Sequence, residues 1–231
     1  MSILYGVSVG AGDPQLMTLK AVRIIEECGT IAVPRTSGKD SLALSIAEQA
    51  ADLGGKRIVY IDFSMSRDRD VLENGWEKAA ELLCGELEKG SVVFLVLGDI
   101  SIYSTFSYIA PRIERAGHEV RICAGVTSFC AAAAALKEPL CLGNKPLHII
   151  PFGCEGFEEL LEAKGTKIVM KTGKNFGELA EILRKKDLSD RTSVIENCGL
   201  PDERIYRSID DICGEPAYFS VFIIRGTDNE T

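Results

Sequence analysis

The chain has 231 residues, enough for one large domain or two small ones with a proper core. Apolar residues make up 46% and charged residues 26%, a globular balance that excludes a disordered or fibrous chain. Twenty-six basic residues against 34 acidic ones give a formal charge of −8, which disfavours a nucleic-acid partner but leaves room for a local basic patch against an anionic small molecule.

In chain order, apolar Ile3–Val9 reads as a first strand, with neither the basic lead-in nor the small-residue cleavage site of a signal peptide. The helical pattern of Pro14–Cys28 follows, then strand Thr30–Val33, helix Ser41–Ala51, strand Lys56–Ile61 and helix Asp70–Leu87. Strand Val92–Leu97, helix Ser104–Ala116 and strand Glu119–Cys123 close the first half. Helix Ser128–Leu136 opens the second half, with strands Leu147–Pro151, Lys167–Met170, Arg191–Ile195, Arg204–Tyr206 and Tyr218–Ile224 and helices Phe157–Ala163 and Phe176–Lys185. Such alternation predicts α/β units with largely parallel pairing. The last two strands follow each other without a long helix and predict an antiparallel finish. A boundary at Cys123 divides the chain into α/β domains 1–123 and 124–231, with no floppy linker.

The longest stretch without a charge, Ile122–Leu136, falls short of the about 18–20 residues of a membrane helix. Eight cysteines sit mostly in apolar stretches and form no C-x-x-C pair, the pattern of buried free thiols in a chain without an export signal. The two histidines, His118 and His148, are far apart, so no protein-ligated metal site is expected.

Three segments can carry chemistry. Gly6-Val-Ser-Val-Gly10-Ala-Gly12-Asp13-Pro14 follows a strand and opens a helix, with Asp13 as N-cap and Pro14 in the first turn. Gln15 stands where a dinucleotide fingerprint has its third glycine, and no Gly-Lys-Ser/Thr is present. Asp13 adds negative charge where a pyrophosphate would sit, so the loop suits something other than a phosphate. Val93–Leu97 then runs into Gly98-Asp99-Ile-Ser-Ile-Tyr103, a turn beyond the carboxyl end of a buried strand, where parallel sheets bind ligands. Ala124-Gly125-Val-Thr127-Ser128 precedes an alanine-rich helix and offers hydroxyls and free N–H groups. Taken singly, each could be an ordinary turn or cap.

In this order, the three segments resemble the tetrapyrrole methylase family, enzymes that move a methyl group from S-adenosylmethionine onto porphyrin-like rings. The resemblance extends through Leu16-Met-Thr-Leu-Lys20-Ala, Val169-Met-Lys171 and Glu196-Asn197 and covers nearly the whole chain. Ser101–Tyr108 and Gly125–Ala133 are most similar to the branch that methylates C20 of precorrin-2 early in making the corrin ring of vitamin B12. The family usually carries prolines where this chain has Ala11, Ile100 and Ala124. Loss of proline enlarges the freedom of the free loop by roughly 0.4–1 kcal/mol each, so Ile100→Pro is expected to tighten cofactor binding.

The resemblance implies a two-domain α/β fold, a mostly parallel N-terminal sheet and a mixed C-terminal sheet with the cofactor in the cleft between, and a cytoplasmic homodimer. It places S-adenosylmethionine against Ala11, Leu97, Gly98, Asp99, Ile102, Thr127, Ser128, Met170, Cys198 and Ala217, largely through backbone. The substrate would be an anionic tetrapyrrole, precorrin-2 or its cobalt form, whose carboxylates would call on Arg35, Lys39, Lys171 and Lys174. Asp99 and Tyr103 are candidates for removing the proton from the methylated carbon, and Trp76 is expected to pack. Alternatives within the fold are another corrin position, diphthamide or an rRNA ribose. Outside that activity stand a cofactor-binding module without turnover and a nicotinamide dehydrogenase, the latter opposed by Gln15 and Asp13.

Overall fold

The computed structural model describes residues 2–36, 41–64, 66 and 68–226, and the chain divides into two compact units, Met1–Thr127 and Ser128–Thr231. In the first, β1 (Ile3–Ser8), β2 (Thr30–Thr36), β3 (Arg57–Phe63), β4 (Val92–Val96) and β5 (Glu119–Cys123) form a sheet in the order β3-β2-β4-β1-β5. All its pairings are parallel. Central β4, Val-Val-Phe-Leu-Val, is buried at every position, as a strand covered on both faces must be.

Alternation along the strands sends two sets of side chains to opposite faces. Val7, Ile31, Val93 and Leu95 pack with Ala21 and Ile25 of α1 (Leu19–Glu27) and with α2 (Leu42–Ala50). Leu4, Ala32, Val92 and Phe94 pack with Leu83 of α3 (Arg69–Leu87) and Phe106 of α4 (Phe106–Arg115). Trp76 of α3 stacks on Tyr108 of α4, ring centroids 4.1 Å apart, with the Arg112 guanidinium over it. From β1 the chain crosses one way, through α1 to β2, and from β4 the other way, through α4 to β5. The adjacent ends of β1 and β4 are therefore the point where the winding reverses, the crevice position at which parallel sheets bind ligands.

The helix expected over Pro14–Cys28 is shorter. Asp13 accepts the Gln15 N–H at 2.8 Å and caps only a 3-10 turn, Pro14–Leu16. The α-helix starts afresh at Leu19, where the Thr18 hydroxyl takes the Ala21 N–H. The Glu86 carboxylate, 8% exposed, bonds Arg57 at 3.0 Å and Lys89 at 2.9 Å, tying α3 to β3. Those hydrogen bonds, Arg57 first, hold its carboxyl below the usual range. A group depressed on folding stabilises above its unfolded pKa and loses that contribution as pH falls through the folded value. Glu86→Gln should therefore lower Tm at neutral pH and narrow the gap to the parent chain under acid; a gap independent of pH would contradict this.

The second unit opens with α5 (Ser128–Leu136) and holds β6 (Leu147–Pro151), α6 (Phe157–Glu162), β7 (Thr166–Met170), α7 (Phe176–Lys185), β8 (Thr192–Glu196), β9 (Arg204–Tyr206) and β10 (Ser220–Ile224). Its sheet runs β6-β7-β10-β8-β9, with β6 parallel to β7 and β10 antiparallel to both β7 and β8. The antiparallel finish is present, but β9 and β10 flank β8 instead of pairing with each other. Burial explains this: Val221–Ile224 are buried and take the sheet's centre, whereas short β9 is exposed at two positions and takes an edge. The core gathers Ile150, Val169, Phe176, Leu179, Val194 and Phe222.

Candidate active site

At the crevice, the loops after β1 and β4 are stitched by backbone alone. The Gly10 N–H donates to the Gly98 carbonyl at 3.2 Å and the Gly98 N–H to the Gly10 carbonyl at 2.7 Å. Both glycines are left-handed, φ +79° and +73°, which a side chain would strain. No atom lies within 4 Å of where a Gly98 side chain would begin, so the crossing presents open space above bare backbone. Gly125, from the loop after β5, lies on the same crossing. A Cβ there would meet the Ser8 Cβ at 2.5 Å, the Gly98 carbonyl oxygen at 2.8 Å and the Gly10 nitrogen at 3.5 Å. The three segments singled out in the sequence thus converge within the first unit.

Asp99, 8% exposed, fastens two of these loops. Its Oδ1 accepts the Ser101 N–H at 2.9 Å and the Ser101 hydroxyl, and its Oδ2 accepts the Gly125 N–H at 2.7 Å. Burial alone would raise this carboxyl, but the three hydrogen bonds outweigh it and hold it below the usual carboxylate range. Beside it the wholly buried Ser8 hydroxyl accepts the Ile100 N–H at 2.9 Å. The Ile100 side chain is buried over Gly6, where a Cβ would come within 2.3 Å of its Cδ1.

That bond corrects the expectation that Ile100→Pro tightens binding. Proline has no N–H and would leave the Ser8 oxygen buried without its donor. Ile100→Pro should instead weaken binding of S-adenosylhomocysteine and lower Tm; an equal or tighter affinity by calorimetry would contradict this.

Of the other expected positions in this unit, Ala11, Leu97, Ile102 and Thr127 are part-buried on the three loops, and Ser128, part-buried too, opens α5. Tyr103 is 41% exposed and left-handed, φ 50°. Arg35 forks onto Asp62, its register partner on β3, at 2.6 and 3.0 Å, and lies over the Tyr60 ring. Its charge is thereby matched locally. Lys39 falls outside the described residues.

In the second unit, β6, β7 and β8 end on the edge from which β10 starts, so Met170, Cys198 and Ala217 share that edge. The Met170 carbonyl accepts the Phe152 N–H at 2.8 Å, and the Ala217 carbonyl takes the Ser220 hydroxyl at 2.5 Å. Lys171 and Lys174 are exposed there. Cys198 is 7% exposed and its thiol is pushed up to about 12, by burial first and then by Glu203. It should resist iodoacetamide at pH 8 while exposed Cys141 and Cys213 react, as peptide mapping would report; rapid alkylation of Cys198 would contradict the packing.

Left-handed non-glycine residues divide by cause. Lys137 and Asp187 close helices, since the amides after them reach back to the Ala133 and Leu183 carbonyls. Tyr103, Lys171 and Asn197 close no helix and sit in loops carrying the recognised motifs. Sequence reasoning missed Ser8; its signal was a lone hydroxyl in a strand otherwise apolar from Val7 to Val9.

The first unit is thus a doubly wound α/β unit whose loops after β1, β4 and β5 meet at a crossing of bare backbone, the class of fold that binds ligands beyond the carboxyl ends of its strands. The model of the Tetrapyrrole (Corrin/Porphyrin) Methylases matches residues 3–212. The chain belongs to that family. It is 38% identical over 185 residues, 80% of this chain and 78% of the relative, to a probable cobalt-precorrin-2 C(20)-methyltransferase of Methanocaldococcus jannaschii. It is 31% identical over 229 residues, 96% and 95% of the two chains, to the cobalt-precorrin-2 C(20)-methyltransferase of Salmonella typhimurium. A uroporphyrin-III C-methyl transferase from Thermus thermophilus, solved with S-adenyl homocysteine, shares the fold at a TM-score of 0.70 and 20% identity, covering 97% of this chain and 92% of that one. No helix among the described residues is long and apolar enough to cross a membrane.

Proposed function

We propose that this chain transfers the methyl group of S-adenosylmethionine to C20 of cobalt-precorrin-2 or precorrin-2, in cobalamin biosynthesis. The observation that carries the proposal is the convergence of the three loops on one bare-backbone crossing, in a chain similar over nearly its full length to a relative named for that reaction.

The residues fit the cofactor. Open space above Gly98 admits a flat ligand against backbone, and a buried carboxylate tolerates a sulfonium and repels a pyrophosphate. Ala11, Leu97, Gly98, Asp99, Ile102 and Thr127 of the first unit are the residues that would hold it. S-adenosylmethionine brings an already activated methyl, so the protein's part is to hold two reactants in line and keep water out, a contribution of about 7–11 kcal/mol in the best cases. Lys171 and Lys174 would meet substrate carboxylates, as would Arg35 once it left its pair with Asp62.

Methylation leaves a proton to be shed from the ring carbon. Asp99, with its lone pairs engaged, is a poor acceptor, and Tyr103 is the candidate relay. Tyr103→Phe should then lower kcat with the cofactor KM unchanged; an unchanged kcat assigns the proton to solvent.

The cobalt form is favoured because both named relatives carry cobalt in the names of their reactions. Turnover of S-adenosylmethionine with each substrate form, read by mass spectrometry, tests the proposal. One added methyl with the cobalt form reacting faster is expected; no methyl on either form, with S-adenosylhomocysteine still bound, would reject it. The homodimer and cytoplasmic location belong to the same proposal, and light scattering tests the former.

A further inference from the structure

We propose that Ser8 and Asp99 are positioning residues that lock the loop after β4 to β1 and to the loop after β5, Asp99 acting as a hydrogen-bond acceptor and never as the proton acceptor of the reaction. The proposal deepens the methyl-transfer reading of this site and rests on it.

The geometry supplies two arms. The inner arm is the Ser8 hydroxyl, wholly buried at the end of β1, which takes the Ile100 N–H across 92 residues of sequence. Where Ile100 stands there is no proline, so an N–H exists that must be satisfied, and Ser8 satisfies it. Ile100 is also seated by its side chain, whose Cδ1 occupies the volume left free at Gly6. The outer arm is Asp99, which draws in the Gly125 amide at 2.7 Å while its other oxygen serves Ser101.

The two arms meet at Gly125. Its amide is held by Asp99, and its bare Cα rests where any Cβ would strike Ser8 and Gly98. Together they fix the Gly10–Gly98 crossing and the loop after β5 against each other. A carboxylate with three donors on it is a weakened base, whereas a proton acceptor for a ring carbon needs a stronger one.

The test compares the parent chain with Asp99→Asn, Ser8→Ala, Ile100→Pro and the double variant Ser8→Ala/Ile100→Pro. In the parent, amide hydrogen exchange should show the Ile100 and Gly125 amides protected. A Gly125 amide exchanging at the unprotected rate overturns the outer arm without any variant. An asparagine can still accept from Ser101 but faces Gly125 with an N–H, so Asp99→Asn should release the Gly125 amide and raise the Kd for S-adenosylhomocysteine about 10–100-fold. At saturating cofactor and substrate, the pH profile of kcat should keep its acid limb.

A kcat fallen by about 100-fold or more with Kd intact, and a lost acid limb, would make Asp99 the proton acceptor and overturn the proposal. For the inner arm, each single change leaves one buried group unpaired and the double change removes both. Affinity and Tm of the double variant should recover above either single. Additive losses overturn that arm. If the parent itself fails to bind S-adenosylhomocysteine, the methyl-transfer reading fails; a binding parent whose variants match it defeats the lock alone.

Discussion

Gly125→Ala should raise the Kd for S-adenosylhomocysteine at least about 100-fold, close to 2.7 kcal/mol at 1.36 kcal/mol per decade. The added carbon would lie 2.5 Å from the Ser8 Cβ and 2.8 Å from the Gly98 carbonyl oxygen. Neither neighbour can yield. Ser8 is a wholly buried strand residue, and the Gly98 carbonyl is already bonded to Gly10. Relief requires the loop after β5 to lift, which breaks the Asp99 bond to the Gly125 amide and opens the crossing. Gly29→Ala is the control, because nothing lies within 4 Å of its added carbon. Calorimetry on both variants decides: a Gly125→Ala chain that binds like the Gly29→Ala chain would contradict the site's construction.

Phe222→Ala should cost about 3–5 kcal/mol in stability, the range for removing a large buried aromatic. Phe222 is fully buried on the central strand β10, opposite Val169 on one side and Val194 on the other, and its ring lies 5.9 Å from that of Phe176 on α7. The void would open at the centre of the second unit, where the sheet and α7 leave little freedom to collapse. Urea denaturation followed by far-UV circular dichroism measures the loss. A change under about 1 kcal/mol would contradict this packing.

The first unit's sheet is legible because its strands are local events. Val92–Val96 reads as a buried parallel strand from composition alone, and glycines at strand ends mark the loops of the candidate site. What sequence patterns miss is long-range pairing. β10 enters between β7 and β8 for reasons of burial that no local pattern carries. The helix start moved from Pro14 to Leu19 because two capping residues, Asp13 and Thr18, stand close together and only the second begins an α-helix.

The site divides the same way. That three loops carry it can be read from motif order. That Asp99 is engaged by Gly125, that Ser8 meets Ile100 and that Asp62 matches Arg35 depend on residues 26, 92 and 27 positions apart. These pairings change chemical roles: a candidate proton acceptor becomes a candidate fastener, and a candidate carboxylate binder becomes a matched ion pair.

The position of the transferred carbon tests the methyl transfer most directly. Carbon-13 methyl-labelled S-adenosylmethionine would be turned over with cobalt-precorrin-2, and the product examined by NMR. A single labelled methyl, bonded to C20, is expected. A label on any other ring carbon, or an unlabelled ring in a sample where S-adenosylhomocysteine binds, would contradict it.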